Sequence, residues 1–277
     1  MITRSITRPV TSPIARGINA AFAVWNPRAL FALGEQGVYY DPNDLSTLFQ
    51  DIAGTTPVTA AGQPVGLMLD KSGYGNHAFQ STAASRPILR QNTTTGAYYL
   101  ETDGVDDWMS TAAIDFAGAL EFSLFTGVRK VSDSETGIIL ESGTNANSQP
   151  GAFYLGAPVG AGISEYGNQV NLGENGTAQR ITGYPAPHSA VISLLASTTA
   201  HPSRLFTING TTYTADTVLG AAGLATPRPL YLFRRAGAVL PFGGHFYGLI
   251  VVGRLSTNAE TRNVARMLAQ RAGVTLA

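Results

Sequence analysis

The sequence predicts an all-β fold, built from short antiparallel strands and closed by a single helix. Three observations carry this prediction. Short apolar runs recur along the chain and break at Gly, Asp and Asn, the residues that supply tight corners. Asn209-Gly210 stands between two β-forming runs, Arg204-Leu-Phe-Thr-Ile208 and Thr211-Thr-Tyr-Thr214, which is the signal of a type I′ hairpin turn. Convincing helical punctuation occurs once, where Thr257-Asn-Ala-Glu260 has capping-box spacing. There Val264, Met267 and Leu268 share a face and Gly273 marks the stop.

Composition supports this class and narrows the function. Charged residues are 13% of the chain against the usual quarter or so, while hydrophobic residues reach 44% and Gly numbers 31. Such a chain suits many corners and does not suit disorder, which needs more charge and less apolar surface. Eighteen basic and eighteen acidic residues cancel, so no net field is available to hold nucleic acid. No cysteine is present, which removes disulfides and thiolate metal sites and suits assembly in a reducing cytoplasm. No apolar run approaches the roughly 18 residues that span a bilayer, so membrane insertion is not expected. Residues 18–25 are too short for that and lead into no small-residue cleavage site, so a secretory leader is not expected either.

The chain divides into an N-terminal arm with a hinge, residues 1–34, and a body, residues 35–277. In the arm, Ile2, Ile6, Val10, Ile14 and Ile18 recur every fourth residue. Thr3, Thr7 and Thr11 follow them, then Arg4, Arg8 and Arg16, with Pro9 and Pro13 in the last position. Proline at two successive repeats rules out a helical stripe, and an even period keeps the apolar residues on one face of an extended chain. A straight arm of this kind reaches about 55 Å at ~3.3 Å per residue. We expect it to dock on a neighbouring subunit, making the protein a homo-oligomer or part of a larger assembly. Phe22, Trp25, Leu30 and Phe31 around Asn26-Pro27 read as a hinge or short helix, with aromatics that serve either a core or an interface.

The body begins with a strand at residues 37–40 and a turn at Asp41-Pro42-Asn43-Asp44. Asp44 or Ser46 can cap a short helical turn running through Phe49, and residues 55–63 form a polar loop. Residues 65–69 are a strand by composition. The pairs Ser72-Gly73 and Gly75-Asn76 then offer positive-φ corners. A second strand starts at Tyr98 and ends at Asp103-Gly104, and Trp108-Met109 opens the next. Leu120, Phe122 and Leu124 alternate with Glu121 and Ser123, as in a half-buried strand. Further strands are expected at 137–142, 190–196, 230–233 and 245–252, with Gly243-Gly244 as a corner before the last. The many Gly, Asn and Pro of residues 143–188 predict long loops at one rim, with weak strands near 153–155 and 163–165.

Two blocks go further than composition. Asp70-x-Ser72-Gly73-x-Gly75-Asn76-x-Ala78, followed by Asp103-Gly104-Val105-Asp106-Asp107-Trp108, resembles the laminin-G-like, concanavalin A-like jelly-roll domains. Phe246-Tyr-Gly248-Leu-Ile250 and Leu255-Ser256 before a helix are similar to the way such domains end. With Gly37-Val-Tyr-Tyr-Asp41-Pro-Asn-Asp44 upstream, the chain resembles the form found in bacteriophage virion proteins. The resemblance covers residues 35–275 and implies a jelly-roll β-sandwich on the virion surface, in a tail fibre, spike or head decoration protein. It implies attachment to host-surface glycans, with other virion proteins as partners of the arm. A structural decoration protein without a ligand is the rival reading.

Candidate chemistry falls into three classes. Lectin-type jelly rolls stack aromatics on sugars and bond hydroxyls with Asp and Asn, groups that Tyr74, Asn76, His77, Asp103, Asp106, Asp107 and Trp108 supply. The bland reading is that these Asx residues form turns and that Trp108 belongs to the core. Asp70, Asn76, Asp103, Asp106 and Asp107 are hard donors suited to Ca²⁺, but they lack EF-hand spacing, and no metal or other cofactor is expected. Zinc is less favoured still, because His77, His188, His201 and His245 are scattered and no Cys exists. Glu101-x-Asp103 with Asp106 is comparable to the carboxylate strand of sandwich-fold glycanases. Here, however, the third acid is Asp and Gly104 interrupts the strand. No nucleophile elbow or phosphate loop occurs, so a non-enzyme is expected.

Overall fold

The computed structural model describes residues 25–277 apart from 174, 175, 177 and 218. The arm residues Ile2, Arg4, Ile6, Arg8, Val10, Ile14, Arg16 and Ile18 lie outside the described residues. The chain enters through a 3-10 helix at Pro27–Phe31, where Pro27 supplies a preset φ and the Asn26 side chain accepts from Arg28 N at 3.0 Å.

Strands follow in chain order. The first six are β1 (Gly37–Tyr40), β2 (Leu48–Phe49), β3 (Leu67–Met68), β4 (Ala78–Phe79), β5 (Ile88–Gln91) and β6 (Tyr98–Asp103). The middle of the chain gives β7 (Met109–Ile114), β8 (Glu121–Lys130), β9 (Ile138–Ser142), β10 (Ala152–Gly156), β11 (Glu165–Asn171) and β12 (Gln179–Thr182). The last are β13 (His188–Ser197), β14 (Arg204–Ile208), β15 (Thr211–Ala215), β16 (Arg228–Leu232) and β17 (Gly243–Val252), then the helix α1 (Asn258–Ala272).

These strands form two antiparallel sheets. The front sheet runs β15-β14-β13-β8-β17-β6-β5, and the back sheet runs β12-β11-β10-β9-β16-β7-β4-β3-β2. One edge of β17 pairs with β8, and its other edge is shared end to end by β6 and β1. Asn43 bridges that junction: its side-chain amide bonds both Tyr98 O (3.2 Å) and Tyr98 N (2.9 Å), as a backbone partner would. Between the sheets, Leu100, Leu124, Val128 and Phe246 of the front meet Leu140, Leu155 and Tyr166 of the back. Phe122 and Phe153 stack across the gap with ring centroids 4.5 Å apart.

The front sheet also buries part of its outer face. Val264 and Leu268 of α1, with Leu30 and Phe31 of the entry helix, cover Tyr39, Phe125, Val191, Ile250 and Val252. The predicted hinge aromatic Phe31 is therefore core. A Cβ on Gly127 would stand 3.3 Å from Tyr247 Cβ and 3.5 Å from Leu268 Cβ, so glycine there lets the helix lie close to the sheet. Arg271 holds the helix end to the first turn through Asp41 at 2.9 Å, and Arg254 holds its start through Glu260 and Glu35. No helix among the described residues is long and apolar enough to cross a membrane.

Most expected elements form where the sequence placed them. The hairpin turn has φ of 51° at Asn209 and 93° at Gly210, and α1 has its full capping box with Gly273 left-handed. Three expectations are corrected. The helical turn after Asp44 stops at Thr47, because Leu48–Phe49 is drawn into pairing with Leu67–Met68. Within residues 143–188 the strand expected near 153–155 forms as β10, but the one expected near 163–165 runs instead over Glu165–Asn171 as β11, and β12 was not expected. Buried polar side chains such as Asn168, Asn171 and Gln179 hid these last two strands from a hydrophobicity pattern. Gly243 and Gly244 are the first rungs of β17 rather than a corner, since a side chain at Gly244 would strike Arg129 O.

Candidate functional site

Helix α1 leaves the other half of the front sheet's outer face bare. Partners in register share a face, so the pairing sets out which side chains this surface presents. Arg129 on β8 lies between Ser189 on β13 and His245 on β17, His245 lies opposite Glu101 on β6, and Glu101 lies opposite Ile88 on β5. One rung along, Tyr99 faces Arg90 and stands beside Tyr247. The inward neighbours Leu100, Val128 and Phe246 anchor each strand in the core, so the polar face is held by rigid backbone.

Two adjoining depressions occupy this face, with His245 lining both. The larger, about 470 Å³, lies between the sheet and the end of α1 and holds Asn92, Tyr99, Arg129, Ser189 and Tyr247. The smaller, about 280 Å³, extends toward the loop rim and holds Arg90, Glu101, Asp103 and Asp107. Tyr99 and His245 stack with ring centroids 4.2 Å apart, and Tyr247 tilts against Tyr99 at 5.3 Å. Burial lowers the His245 pKa, leaving its imidazole neutral at pH 7, and burial also raises both tyrosines. The groove therefore combines uncharged aromatic rings with polar groups: Ser189, and Asn92, whose Oδ1 accepts from Thr94 N (2.9 Å) and Thr95 N (3.2 Å) and whose Nδ2 donates to the Tyr247 hydroxyl at 3.4 Å. That is the mixture of apolar faces and hydrogen-bonding groups that a sugar ring requires.

Its acidic end is occupied by its own turn. Asp103 Oδ1 accepts from Val105 N (2.8 Å) and Asp106 N (3.2 Å), Asp107 Oδ2 accepts from Asp103 N (3.0 Å), and Asp106 Oδ2 accepts from Ser85 Oγ (2.8 Å). Burial, reinforced by the neighbouring carboxylates, pushes Asp107 up to about 6. Oxygens of the three carboxylates approach within 4.8 Å of one another. With one oxygen of each already bonded, the cluster offers a calcium ion far fewer than its roughly six to eight ligands, and no chemistry is routed through a metal. Glu101, the first acid of the glycanase-like strand, is tied to Arg90 at 2.7 Å.

The residues picked out from the sequence separate into two groups. Asp103 and Asp107 border the groove, with Asp106 beside them. Trp108 lies behind that corner, half-buried against Gly237 and 6.1 Å from the Tyr231 ring. Tyr74, Asn76 and His77 sit near the far end of β17. Asn76 grips Gly37 O at 2.8 Å, and Gly37 pairs with Val252, whereas Asp103 pairs with Gly243. Nine residues of β17 separate these rungs, ~30 Å at about 3.3 Å per residue. In that far corner Asp70 accepts from Tyr39 N, Ser72 N and Asn76 N, while His77 Nδ1 accepts from Asp70 N at 2.9 Å. Tyr74 packs edge-on to Phe31. These groups build the fold's corner and are not brought together with the acidic turn.

Tyr99, Arg129, His245 and Tyr247 were not singled out from the sequence. Strict alternation could have found them: Tyr99, Glu101 and Asp103 point away from Leu100 and Thr102, and His245 and Tyr247 flank inward Phe246. Their coming together across β6, β17 and β8 depends on strand order, which local pattern does not encode.

No protein-family model and no curated protein matches the chain. Solved structures do match. The binding domain of botulinum neurotoxin serotype C1 aligns with a TM-score of 0.54 at 9% identity, over 88% of this chain and 53% of that one. The binding domain of botulinum neurotoxin DC in complex with SialylT gives 0.52 at 12%, over 82% and 52%. The same domain in complex with rat synaptotagmin II gives 0.52 at 11%, over 84% and 51%. The chain thus spans about half the length of the structures it matches. At such identities the likeness shows the fold alone: this is a concanavalin A-like jelly-roll β-sandwich.

Proposed function

We propose that this chain is a non-catalytic, lectin-like module that binds carbohydrate in the bare groove of the front sheet. The observation that carries the reading is the Tyr99–His245 stack, set among Asn92, Arg129 and Ser189 on rigid strands beside the end of α1. Apolar rings stack on the C–H faces of a sugar, and the surrounding polar groups exchange hydrogen bonds with its hydroxyls. The matched neurotoxin binding domains include complexes with SialylT and with N-acetylneuraminic acid, which supports a saccharide as the ligand class. The Glu101–Arg90 pair and the bonded Asp103 argue against a free acid and base facing each other, as glycoside hydrolysis requires.

A glycan array probed with the purified protein tests this. Retention of a defined set of saccharides is expected, weakened about two- to tenfold in Tyr99→Ala, since an aromatic stack contributes about 0.5–1.5 kcal/mol beyond buried area. Retention should not change when EDTA replaces calcium. No retained saccharide, or retention indifferent to Tyr99, would sink the proposal.

The setting we propose is a bacteriophage particle, on the resemblance carried by the 70–78 and 103–108 blocks. There the body is displayed on the surface for host attachment, and the arm of residues 1–18 docks on other virion proteins or on further copies of the chain. Deleting residues 1–18 should leave a soluble body with an unchanged melting curve that no longer enters particles. Normal incorporation of the truncated chain would contradict this.

A further inference from the structure

The groove is electrically lopsided, and its free charge is positive. Arg129 is half-buried at its centre, and among the described residues its one hydrogen bond goes to Ser189 Oγ at 3.4 Å, with no carboxylate within 4.0 Å. The other groove cation, Arg90, is already neutralised by Glu101 at 2.7 Å. Neutral His245 stands between that pair and Arg129, so the acid of Glu101 does not reach the guanidinium. At the opposite end lie Asp103 and Asp107, which repel any anion placed over them. An unpaired guanidinium beside an aromatic stack is a fork of donors preset for a planar or tetrahedral oxyanion.

We propose that the ligand is an anionic saccharide whose acidic group is held by Arg129. The acid-bearing sugar lies over Tyr99, Asn92 and Ser189, and the neutral part of the chain extends past His245 toward Arg90. This rests on the carbohydrate-binding reading above and adds the ligand's charge and its direction in the groove. The oxyanion is a carboxylate or a sulfate ester, both of which the guanidinium fork accepts.

The test compares lactose, 3′-sialyllactose and 3′-sulfolactose on one array that also carries uronate-bearing and neutral oligosaccharides. The full chain, Arg129→Gln and Arg129→Lys are each checked for an unchanged melting curve. Wild-type protein should retain anionic spots about ten- to a hundredfold better than their neutral counterparts, the span of a charge-assisted hydrogen bond. Arg129→Gln should lose that preference, its retention of anionic spots falling to the level of their neutral counterparts, and Arg129→Lys should restore part of it. Carboxylate-selective or sulfate-selective retention supports the proposal and identifies the oxyanion. Equal retention of neutral and anionic spots, or a preference that survives Arg129→Gln, overturns it and leaves carbohydrate binding intact. Silence across every spot overturns both.

Discussion

Asp107 is buried at the acidic end of the groove, one oxygen accepting from the Asp103 backbone, and burial raises its pKa from 3.8 to about 6. The native state therefore binds this proton more tightly than the unfolded chain. The resulting stability is fully present below about pH 4 and is lost as pH rises through about 6. Screening by the open groove keeps the effect on the order of 1–2 kcal/mol. Asp107→Asn keeps the acceptor without the charge. Urea titrations from pH 4 to 7 should show a shallower decline in stability for the variant than for wild type, and parallel curves would contradict the assignment. At this scale the sequence was legible for residue type and not for role. Asn76 and His77 carry polar groups suited to a ligand, yet Gly37 O and Asp70 N claim them. Nothing local distinguishes an Asn that caps a corner from one that meets a sugar.

Among the elements, α1 was the most legible, since its capping box, its apolar stripe and its terminal glycine are all local signals. Its role is to cover part of the front sheet and leave the rest bare, and Leu268 is central to that contact, fully buried above Gly127. Leu268→Ala should cost about 2–4 kcal/mol by cavity formation, read as a lowered urea midpoint. It should also increase hydrogen exchange in α1 and β13, the strand that lies beneath it. A loss under 1 kcal/mol would mean that the helix is dispensable. Strands β11 and β12 were the least legible elements. Several of their polar residues pair with one another, as where Glu165 meets Arg180 at 2.6 Å and Asn168 meets Gln179 at 3.3 Å. A hydrophobicity pattern reads such a strand as loop.

Over the whole molecule, the sandwich class followed from corners, alternation and one hairpin, because each of these is a short-range property. The groove is a long-range property. Ser189, Arg129, His245, Glu101 and Ile88 come from five strands, and only the order β13-β8-β17-β6-β5 sets them in one row. The most direct test of where ligand sits is an amide chemical-shift titration of the full chain with a saccharide retained on the array. The largest shifts should fall on β6, β8 and β17 around Tyr99, Arg129 and His245. Shifts centred instead on the Asp70–Ala78 corner, or on the back sheet, would show that the bare face of the front sheet is not the binding site.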